Sequence, residues 1–580
     1  MGRNLPRILT HRVFAFGRAP GVLRAVSRRR RLLATLRGMF VLLCTAALGA
    51  PLVMDAADAR LSGPLRAAAR LADTGDVDVF RLARPSPPPV DGLSVTVESD
   101  DPDALLDRLD ALGIDVEAAA GDRVQAHVPY GRLREVAALP GVRRVREPWI
   151  AEAKERFVSS GYADTMEMDW RAEGYDGTGV RVGILDVGFA RYDEAAGDPE
   201  VDDDEEVPPE PVTDFTRGSV EAATHGTAVT EIVYDFAPGA TYYLATFGTE
   251  VEYVEALQWL VEQHVDVINA SIGFDNTAHA DGYSYVTRAV EAAVEEGIIY
   301  VGAAGNENDK YRVGALARAP GGGITLAGAE ATEVWTSGGF ARVSLRWSEP
   351  FGAAATDLDL VLYNEDGTEC GRAQEPQDGD DDPYESVLAT DCSELVTAVI
   401  VGGEEGVDPL GLEGYLYAPY TLEAAEWTNT EDLTLPGDTR GGISVGAIVD
   451  GLAPDYSSRG PTNDGRTKPD VVAPTGVYTS TGRYTPFTGT SAAAPHVSGL
   501  AALWVDASNR QGQPEVFRTW LRAHARDVGP VGDDDTYGAG VARADALPPT
   551  ACGCRSPGAI PTLSPALLLL VAAAARRRAS

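Results

Sequence analysis

The chain has 580 residues, of which 44% are hydrophobic, and a formal net charge of −38. This length allows several domains, and the strong acidity argues against nucleic acid or an anionic membrane as a partner. No phosphate-binding glycine loop, zinc pattern or nucleotide fingerprint is evident. The composition instead suits a soluble exported protein.

The first 59 residues are predicted to be a secretory signal peptide with an extended basic region. Four arginines at residues 28–31 precede an apolar run at 39–50, and the segment Ala57-Asp-Ala59 resembles a cleavage site. A permanent membrane anchor is the alternative, but Pro51 and the shortness of the run disfavour it. We therefore expect export.

A small module is predicted to follow the signal. Residues 60–90 are polar and proline-rich, which indicates a linker. Residues 91–150 alternate as strand, helix, strand, strand, helix, strand. This βαββαβ order is the ferredoxin-like arrangement, which by itself is compatible with many functions.

From about residue 162, alternating strands and helices predict a parallel, three-layer α/β fold. The apolar run at 180–188 indicates a buried strand with Asp186 at its carboxyl end. The segment 224–233 opens an apolar helix with His225 at its start. Alone, such an Asp is more often a cap and such a His a turn residue.

Two more buried strands, at 265–273 and 297–306, end in turns of small residues. The bland interpretation is a core strand for the first and a left-handed turn at Asn306 for the second. The residues at these two strand ends are Ser271, Ile272, Gly273, Ala303, Ala304, Gly305 and Asn306.

A β-rich segment then interrupts the α/β pattern. Its runs alternate with the period of a strand, and the α/β pattern resumes near residue 442. We predict an inserted β-sandwich, similar to a jelly roll, at 313–436, between α/β portions at 162–312 and 437–547. Cys370 and Cys392 lie in this insert and, in an exported protein, form one disulfide; two free thiols are the alternative.

The segment 487–499 is predicted to place one hydroxyl at the mouth of an apolar helix. Gly489 permits close backbone approach, Thr490 is expected to cap the helix, and Ser491 follows. The helix dipole there favours the negative charge that develops in acyl transfer. A serine nucleophile also needs a histidine base and an orienting carboxylate, and His225 and Asp186 lie upstream. An ordinary capped helix is the alternative for this segment alone.

The motif GTSAAAPH at residues 489–496 resembles the nucleophile motif of the subtilases, the subtilisin-like serine peptidases, with Ala492 in place of the usual methionine. The order Asp186, His225, Ser491 is also that of subtilisin. The resemblance implies an endopeptidase that forms an acyl-enzyme. Ser491 attacks, His225 transfers the proton and Asp186 orients the imidazole.

The resemblance also implies roles for the two turns. Asn306 is expected to donate to the oxyanion together with the backbone N–H of Ser491. The residues at 271–273 and 303–305 are expected to line a cleft for protein or peptide substrates, with β-pairing to the substrate backbone. No cofactor is required for this chemistry. Calcium is common in the family, but the acidic loop at 198–210 is assigned no ligands.

The module at 91–150 resembles the subtilase propeptide, which aids folding and blocks the cleft until it is cut away. The cut is expected between Glu147 and about Tyr162. One departure is Val187, which stands where subtilases usually have Ser or Thr, so one hydrogen bond to the aspartate is expected to be absent. His225 argues against the acid-acting sedolisins, which use Glu.

The C-terminal residues 548–580 contain Cys552 and Cys554, a short apolar run at 563–575 and terminal arginines. This order fits a transmembrane stop and resembles the MYXO-CTERM type of sorting tail, which implies display at the cell surface. The run is short and contains Pro565, so it suits a transient signal better. A different function class also remains: a catalytically impaired surface protein that presents the β-sandwich for binding.

Overall fold

The structure is a computed structural model of the chain. It describes residues 57, 60–74, 91–148, 152–153, 170–196, 207–216, 223–320, 323–402, 409–419, 427–428, 430–479, 486–508 and 513–548. The predicted signal peptide and sorting tail lie almost wholly outside these residues. Within the described ranges, no helix is long and apolar enough to cross a membrane.

The N-terminal module has a four-stranded antiparallel sheet under short helices. Its elements are α1 (Gly63–Thr74), β1 (Leu93–Ser99), α2 (Pro102–Ala111), β2 (Asp115–Ala120), β3 (Arg123–Val128), α3 (Leu133–Ala137) and β4 (Val142–Arg146). The strand order β2-β3-β1-β4 gives the predicted ferredoxin-like topology.

The predicted linker at 60–90 is wrong for its first part, because α1 belongs to the module. Leu65, Ala68 and Ala69 are buried in one core with residues of β1, β3 and β4. These apolar residues recur at helical spacing, so one face of α1 packs against the core of the module. The prolines that suggested a linker lie at 85–89, outside the described residues.

The first portion of the α/β domain carries most of the sheet. Its elements are β5 (Glu152–Ala153), β6 (Arg181–Asp186), α4 (Tyr192–Ala195), β7 (Val212–Thr216), α5 (His225–Phe236), β8 (Thr241–Thr246), α6 (Glu250–Glu262), β9 (Val267–Ala270), β10 (Ile272–Gly273), α7 (Tyr285–Glu295) and β11 (Ile299–Ala303).

The insert is a single antiparallel sheet that folds round its own apolar core. Its strands are β12 (Tyr311–Arg318), β13 (Ile324–Leu326), β14 (Thr332–Trp335), β15 (Ala341–Trp347), β16 (Leu358–Tyr363), β17 (Glu369–Ala373), β18 (Tyr384–Ala389), β19 (Leu395–Gly402) and β20 (Glu413–Tyr417). Along the sheet they follow the order β17-β16-β19-β13-β12-β20-β15-β18, and β14 pairs with β19. Cys370 and Cys392 form a disulfide, with Cα atoms 5.6 Å apart.

The second portion completes the α/β domain with β21 (Ile443–Ile448), β22 (Val471–Pro474), α8 (Thr490–Ala507) and α9 (Pro514–His524). The resulting seven-stranded parallel sheet has the order β22-β21-β11-β9-β6-β8-β7. One apolar core lies between the sheet and α5 and α8, and a second lies between the opposite face and α6 and α7. This is the three-layer α/β fold that the sequence predicted, and it brings the carboxyl ends of β6, β9 and β11 to one edge.

One carboxylate in the insert is buried with little compensation. Asp359 on β16 is 8% exposed. Burial and the nearby charge of Asp357, opposed by Arg372, raise the pKa of Asp359 from 3.8 to about 7. Between these two pH values the folded insert binds a proton that the unfolded chain releases. The free energy of unfolding therefore falls as pH rises through this window.

We expect Asp359→Asn to raise the unfolding temperature of the insert at pH 8 and to change it little at pH 5, because the amide has no charge to bury. Thermal unfolding of the full chain in the presence of a chelator measures both values. Asp391→Asn, which alters an exposed carboxylate of the same insert, is the control. An equal effect of Asp359→Asn at the two pH values would contradict the assignment.

Candidate functional site

Asp186 and His225 form a buried pair at the carboxyl edge of the sheet. Asp186 is the last residue of β6, and His225 is the first residue of α5. The Nδ1 atom of His225 lies 2.8 Å from both carboxylate oxygens of Asp186. The backbone N–H of Val187 donates to the same carboxylate at 2.8 Å. This pairing holds the imidazole through Nδ1 and directs Nε2 to the opposite side of the ring.

Ser491 is buried in the first turn of α8 and is bonded to Ser271, which begins the predicted substrate strand at residues 271–273. Its hydroxyl donates to the carbonyl oxygen of Ser271 at 3.0 Å, and the Ser271 hydroxyl donates to the carbonyl oxygen of Ser491, also at 3.0 Å. In this rotamer the proton of Ser491 is held by a backbone carbonyl, so rotation about Cα–Cβ must precede its transfer to an imidazole. The neighbouring Phe487 ring packs edge-on against His225, with centroids 5.2 Å apart.

Pro495 lies inside α8, one turn beyond the start that the sequence suggested. A proline at this position has no N–H to offer to the carbonyl of Ser491 four residues earlier. The Ser271 hydroxyl takes the place of the missing helix donor. The proline therefore frees the one helix carbonyl through which the substrate strand is attached.

The side chain of Asn306 is held in one orientation by Thr490. Its Oδ1 accepts from the Thr490 backbone N–H at 2.9 Å and from the Thr490 hydroxyl at 3.1 Å. Its Nδ2 is buried and has no acceptor among the described residues. A buried, unmatched donor next to the first turn of α8 is a feature that needs an explanation, and an oxyanion supplies one.

The expectation that Thr490 caps α8 is wrong. The N-cap is Gly489, whose φ of 100° is a left-handed value that favours glycine. The Thr490 hydroxyl instead donates to Asn306 and accepts from the backbone N–H of Gly305 at 3.2 Å. Thr490 thus orients Asn306, a role that the sequence pattern did not indicate.

Asn269 connects the substrate strand to the middle of α8. Its Nδ2 donates to the Ser271 hydroxyl at 3.0 Å, and its Oδ1 accepts from the Ser498 hydroxyl at 2.8 Å. All three side chains are buried. The sequence analysis missed Asn269 and Ser498, although an asparagine within an otherwise apolar buried strand was a usable signal, because buried amides require partners.

The turn at 303–305 is held in place by backbone hydrogen bonds from distant segments of the chain. Ala304 accepts from the backbone N–H of Thr434 at 2.9 Å, and Gly305 accepts from that of Ser458 at 2.9 Å. A Cβ atom on Gly305 would lie 2.5 Å from the Thr434 hydroxyl. Thr434 comes from the chain that returns out of the insert, so no local pattern could have placed it there.

A short strand from the N-terminal region already occupies the free edge of the predicted substrate strand. In the β5–β10 pair, Ala153 lies opposite Ile272 and Glu152 opposite Gly273, in antiparallel register. On the other side, Phe274 and Leu435 exchange backbone hydrogen bonds of 2.9 and 3.1 Å. The site is therefore arranged to pair with an extended chain, and the protein's own chain lies there.

Among the described residues, the acidic cluster that could hold a metal ion lies in the insert. In the part of the chain that the structure describes, the carboxylates that could share a metal ion are Asp378, Asp380 and Asp381, in a loop of the insert. Of the acidic loop at 198–210, only residues 207–210 are described.

Comparison with known proteins gives partial matches. Subtilisin E of Bacillus subtilis (strain 168) is 26% identical over 218 residues, which are 33% of this chain and 54% of that protein. Pyrolysin of Pyrococcus furiosus is 41% identical over 78 residues, 12% of this chain and 6% of that protein. The chain thus spans only about half the length of the subtilisin that it matches. The solved structure of the Clostridium perfringens CspB protease aligns with a TM-score of 0.48 at 16% identity, covering 64% of this chain and 95% of that one.

The match to a family model is broader. The model of the Subtilase family aligns with residues 177–341 and 399–540, which together make up more than half of the chain. These ranges contain Asp186, His225, Asn306 and Ser491 and leave out the middle of the insert. The chain belongs to the subtilase family.

Proposed function

We propose that this protein is an exported serine endopeptidase that hydrolyses peptide bonds through an acyl-enzyme. The observation that carries the proposal is the buried Asp186–His225 pair, located at the same sheet edge as Ser491 and the unmatched Nδ2 of Asn306. Family membership supports the serine peptidase class. Export rests on the sequence of residues 1–59.

The proposed reaction begins when Ser491 Oγ turns away from the Ser271 carbonyl, attacks the carbonyl carbon of the scissile peptide bond and passes its proton to His225 Nε2. Asp186 stabilises the imidazolium that forms, since its two oxygens already face Nδ1. The oxygen anion of the tetrahedral intermediate accepts from Asn306 Nδ2 and the backbone N–H of Ser491. The N-terminal end of α8 adds a favourable dipole. His225 then returns the proton to the leaving amine, and water cleaves the acyl-enzyme in the same manner.

The proposed substrate is an extended segment of a protein or peptide. It would pair with β10 in the place that β5 occupies, so that main-chain hydrogen bonds give affinity. The same occupancy supports the N-terminal module as a propeptide that blocks the cleft. Residue 154 would come opposite Ser271 if the register continued, so we expect the cut shortly after Ala153, within the range predicted from the sequence.

We expect the chain to cleave itself. The full chain with Ser491 intact is expected to lose the propeptide, with a new N-terminus between residues 154 and 162, and to react with a serine-directed fluorophosphonate. The Ser491→Ala chain should remain uncut and unlabelled. N-terminal sequencing and gel fluorescence measure the two outcomes.

If the intact chain fails to label even after another protease has removed the propeptide, the peptidase proposal is overturned. The remaining candidate would then be a surface protein that presents its β-sandwich for binding.

We expect the side chain of Asn306 to contribute to kcat. Asn306→Ala is expected to lower kcat about 100- to 1000-fold with little change in KM, because the donor acts on the transition state. Thr490→Val should lower kcat less, since the amide remains and keeps the bond from the backbone N–H of residue 490, losing only the bond from the Thr490 hydroxyl. Steady-state kinetics on a peptide substrate measure both.

Asn364→Ala, in a turn of the insert, is the matched control and should leave kcat unchanged. A rise in KM with unchanged kcat in Asn306→Ala would show that Asn306 binds substrate and does not stabilise an oxyanion.

A further inference from the structure

We propose that the insert is a second docking site for the propeptide, and that an acidic clamp formed by Glu375 and Asp382 holds it there through Arg144. Arg144 lies on β4 of the module. Its guanidinium donates to the Asp382 carboxylate and, at 3.2 Å, to Glu375 Oε2. Arg66 on α1 approaches the other oxygen of Glu375 at 3.9 Å. The inference builds on the proposed role of the module as a propeptide.

The acidic clamp is partly withdrawn from water, which strengthens the attraction. The side chains of Arg144, Glu375 and Asp382 are 19%, 17% and 16% exposed. Burial alone would lower the pKa of Arg144, but the charges of Asp382 and Glu375 outweigh it and hold the pKa above its ordinary value. The guanidinium can bond both carboxylates because its donors are spread over a planar fork.

Contacts within the insert hold the clamp in place. The other oxygen of Asp382 accepts from the backbone N–H of Gly352 at 2.9 Å. The backbone N–H of Glu375 donates to the buried carboxylate of Glu385 at 2.7 Å. These bonds lie inside the insert, so the Asp382 carboxylate and the backbone of Glu375 are positioned independently of the propeptide, which reduces the entropy lost on binding.

The α/β domain also contacts β4, through a second arginine. Arg146, two residues after Arg144 and thus on the same face of β4, donates to the fully buried Glu250 of α6 at 2.8 Å. Thr96 on β1 donates to the same carboxylate oxygen at 3.0 Å. On one face of the module's sheet, therefore, Arg146 binds α6 of the α/β domain and Arg144 binds the insert.

The position of the clamp suggests what it does. β4 ends at Arg146, and the next strand of the chain, β5 (Glu152–Ala153), pairs with β10. When the chain is cut after β5, the covalent attachment is lost, and the module is retained only by non-covalent contacts. The clamp adds a contact that is independent of the cleft, so the insert prolongs inhibition after cleavage.

The test uses the full chain with Ser491→Ala, so that it does not depend on peptidase activity. A recognition sequence for a site-specific protease is inserted after Ser159, the chain is cut there, and the rate at which the propeptide dissociates is measured on an immobilised complex. Arg144→Gln is expected to raise this rate at least about tenfold. Arg143→Gln is the matched control, because Arg143 pairs with Asp100 and Asp122 inside the module.

A second set of variants tests the partner. Asp382→Asn should also speed dissociation, and its combination with Arg144→Gln should be slower than the product of the two single effects predicts. Asp382→Arg should partly restore retention to Arg144→Glu. Added salt should shorten the lifetime of the parent complex more than that of the Arg144→Gln complex.

The proposal is overturned if Arg144→Gln dissociates at the parent rate, or if Arg143→Gln speeds dissociation equally, since the loss then belongs to the fold of the module. Independent effects of the Arg144 and Asp382 variants also overturn it. A failure of the peptidase proposal would appear separately, as absent fluorophosphonate labelling of the chain with Ser491 intact.

Discussion

The two hydrogen bonds exchanged by Ser271 and Ser491 are the contact on which the site depends. They join the end of the sheet to the first turn of α8, and the Ser491 carbonyl can accept one of them because Pro495 leaves that carbonyl without a helix donor. Asn269 extends the connection to Ser498, about two turns further along α8. With strand and helix held together, the proposed nucleophile needs no movement of the backbone to reach a paired substrate, and this is the preorganisation that the proposed catalysis requires.

The insert is attached to the parts of this site that matter most. It leaves the domain through β12 and returns through β20, where Tyr311 lies opposite Tyr417. The Tyr417 hydroxyl lies 3.1 Å from Asp275, which follows the substrate strand, and 3.1 Å from Glu307, which follows Asn306. A domain of more than 100 residues is thus connected by polar contacts to the segments that follow β10 and Asn306, and its far edge contacts Arg144 of the N-terminal module. The proposed roles of the insert in access and inhibition need no catalytic group from it.

The N-terminal module carries a group of buried charges, and one of them, Arg146, pairs with Glu250 of the α/β domain. Burial would raise the pKa of Glu98, but Arg123, Arg146 and Arg144 outweigh it and lower that pKa to about 2. Such ion pairs give little net stability, because desolvation offsets much of the attraction, but breaking one partner leaves an uncompensated charge. An interface of this kind favours a correct partner strongly over a mismatched one, and it loses strength in salt where it is exposed. Both properties suit the role proposed for the module, that of an inhibitor which is later released.

The local sequence determined the elements and their chemistry. Asp186 at a strand end, His225 and Ser491 at helix starts, the βαββαβ module and the β-period of the insert were all readable, because apolar periodicity and small-residue turns act over a few residues. Tertiary structure decided what depends on distant partners. Thr490 looked like a cap until Asn306 came from 184 positions away to accept its hydrogen bonds. Thr434 contacts the turn at 303–305 because the chain comes back to the α/β domain after the insert. The helix α1 packs into the core of the module, although its composition suggested a linker. The pairing of Arg144 with Asp382 joins residues 238 positions apart. Sequence spacing carries no information about such contacts, since the fold, not the chain, makes these residues neighbours.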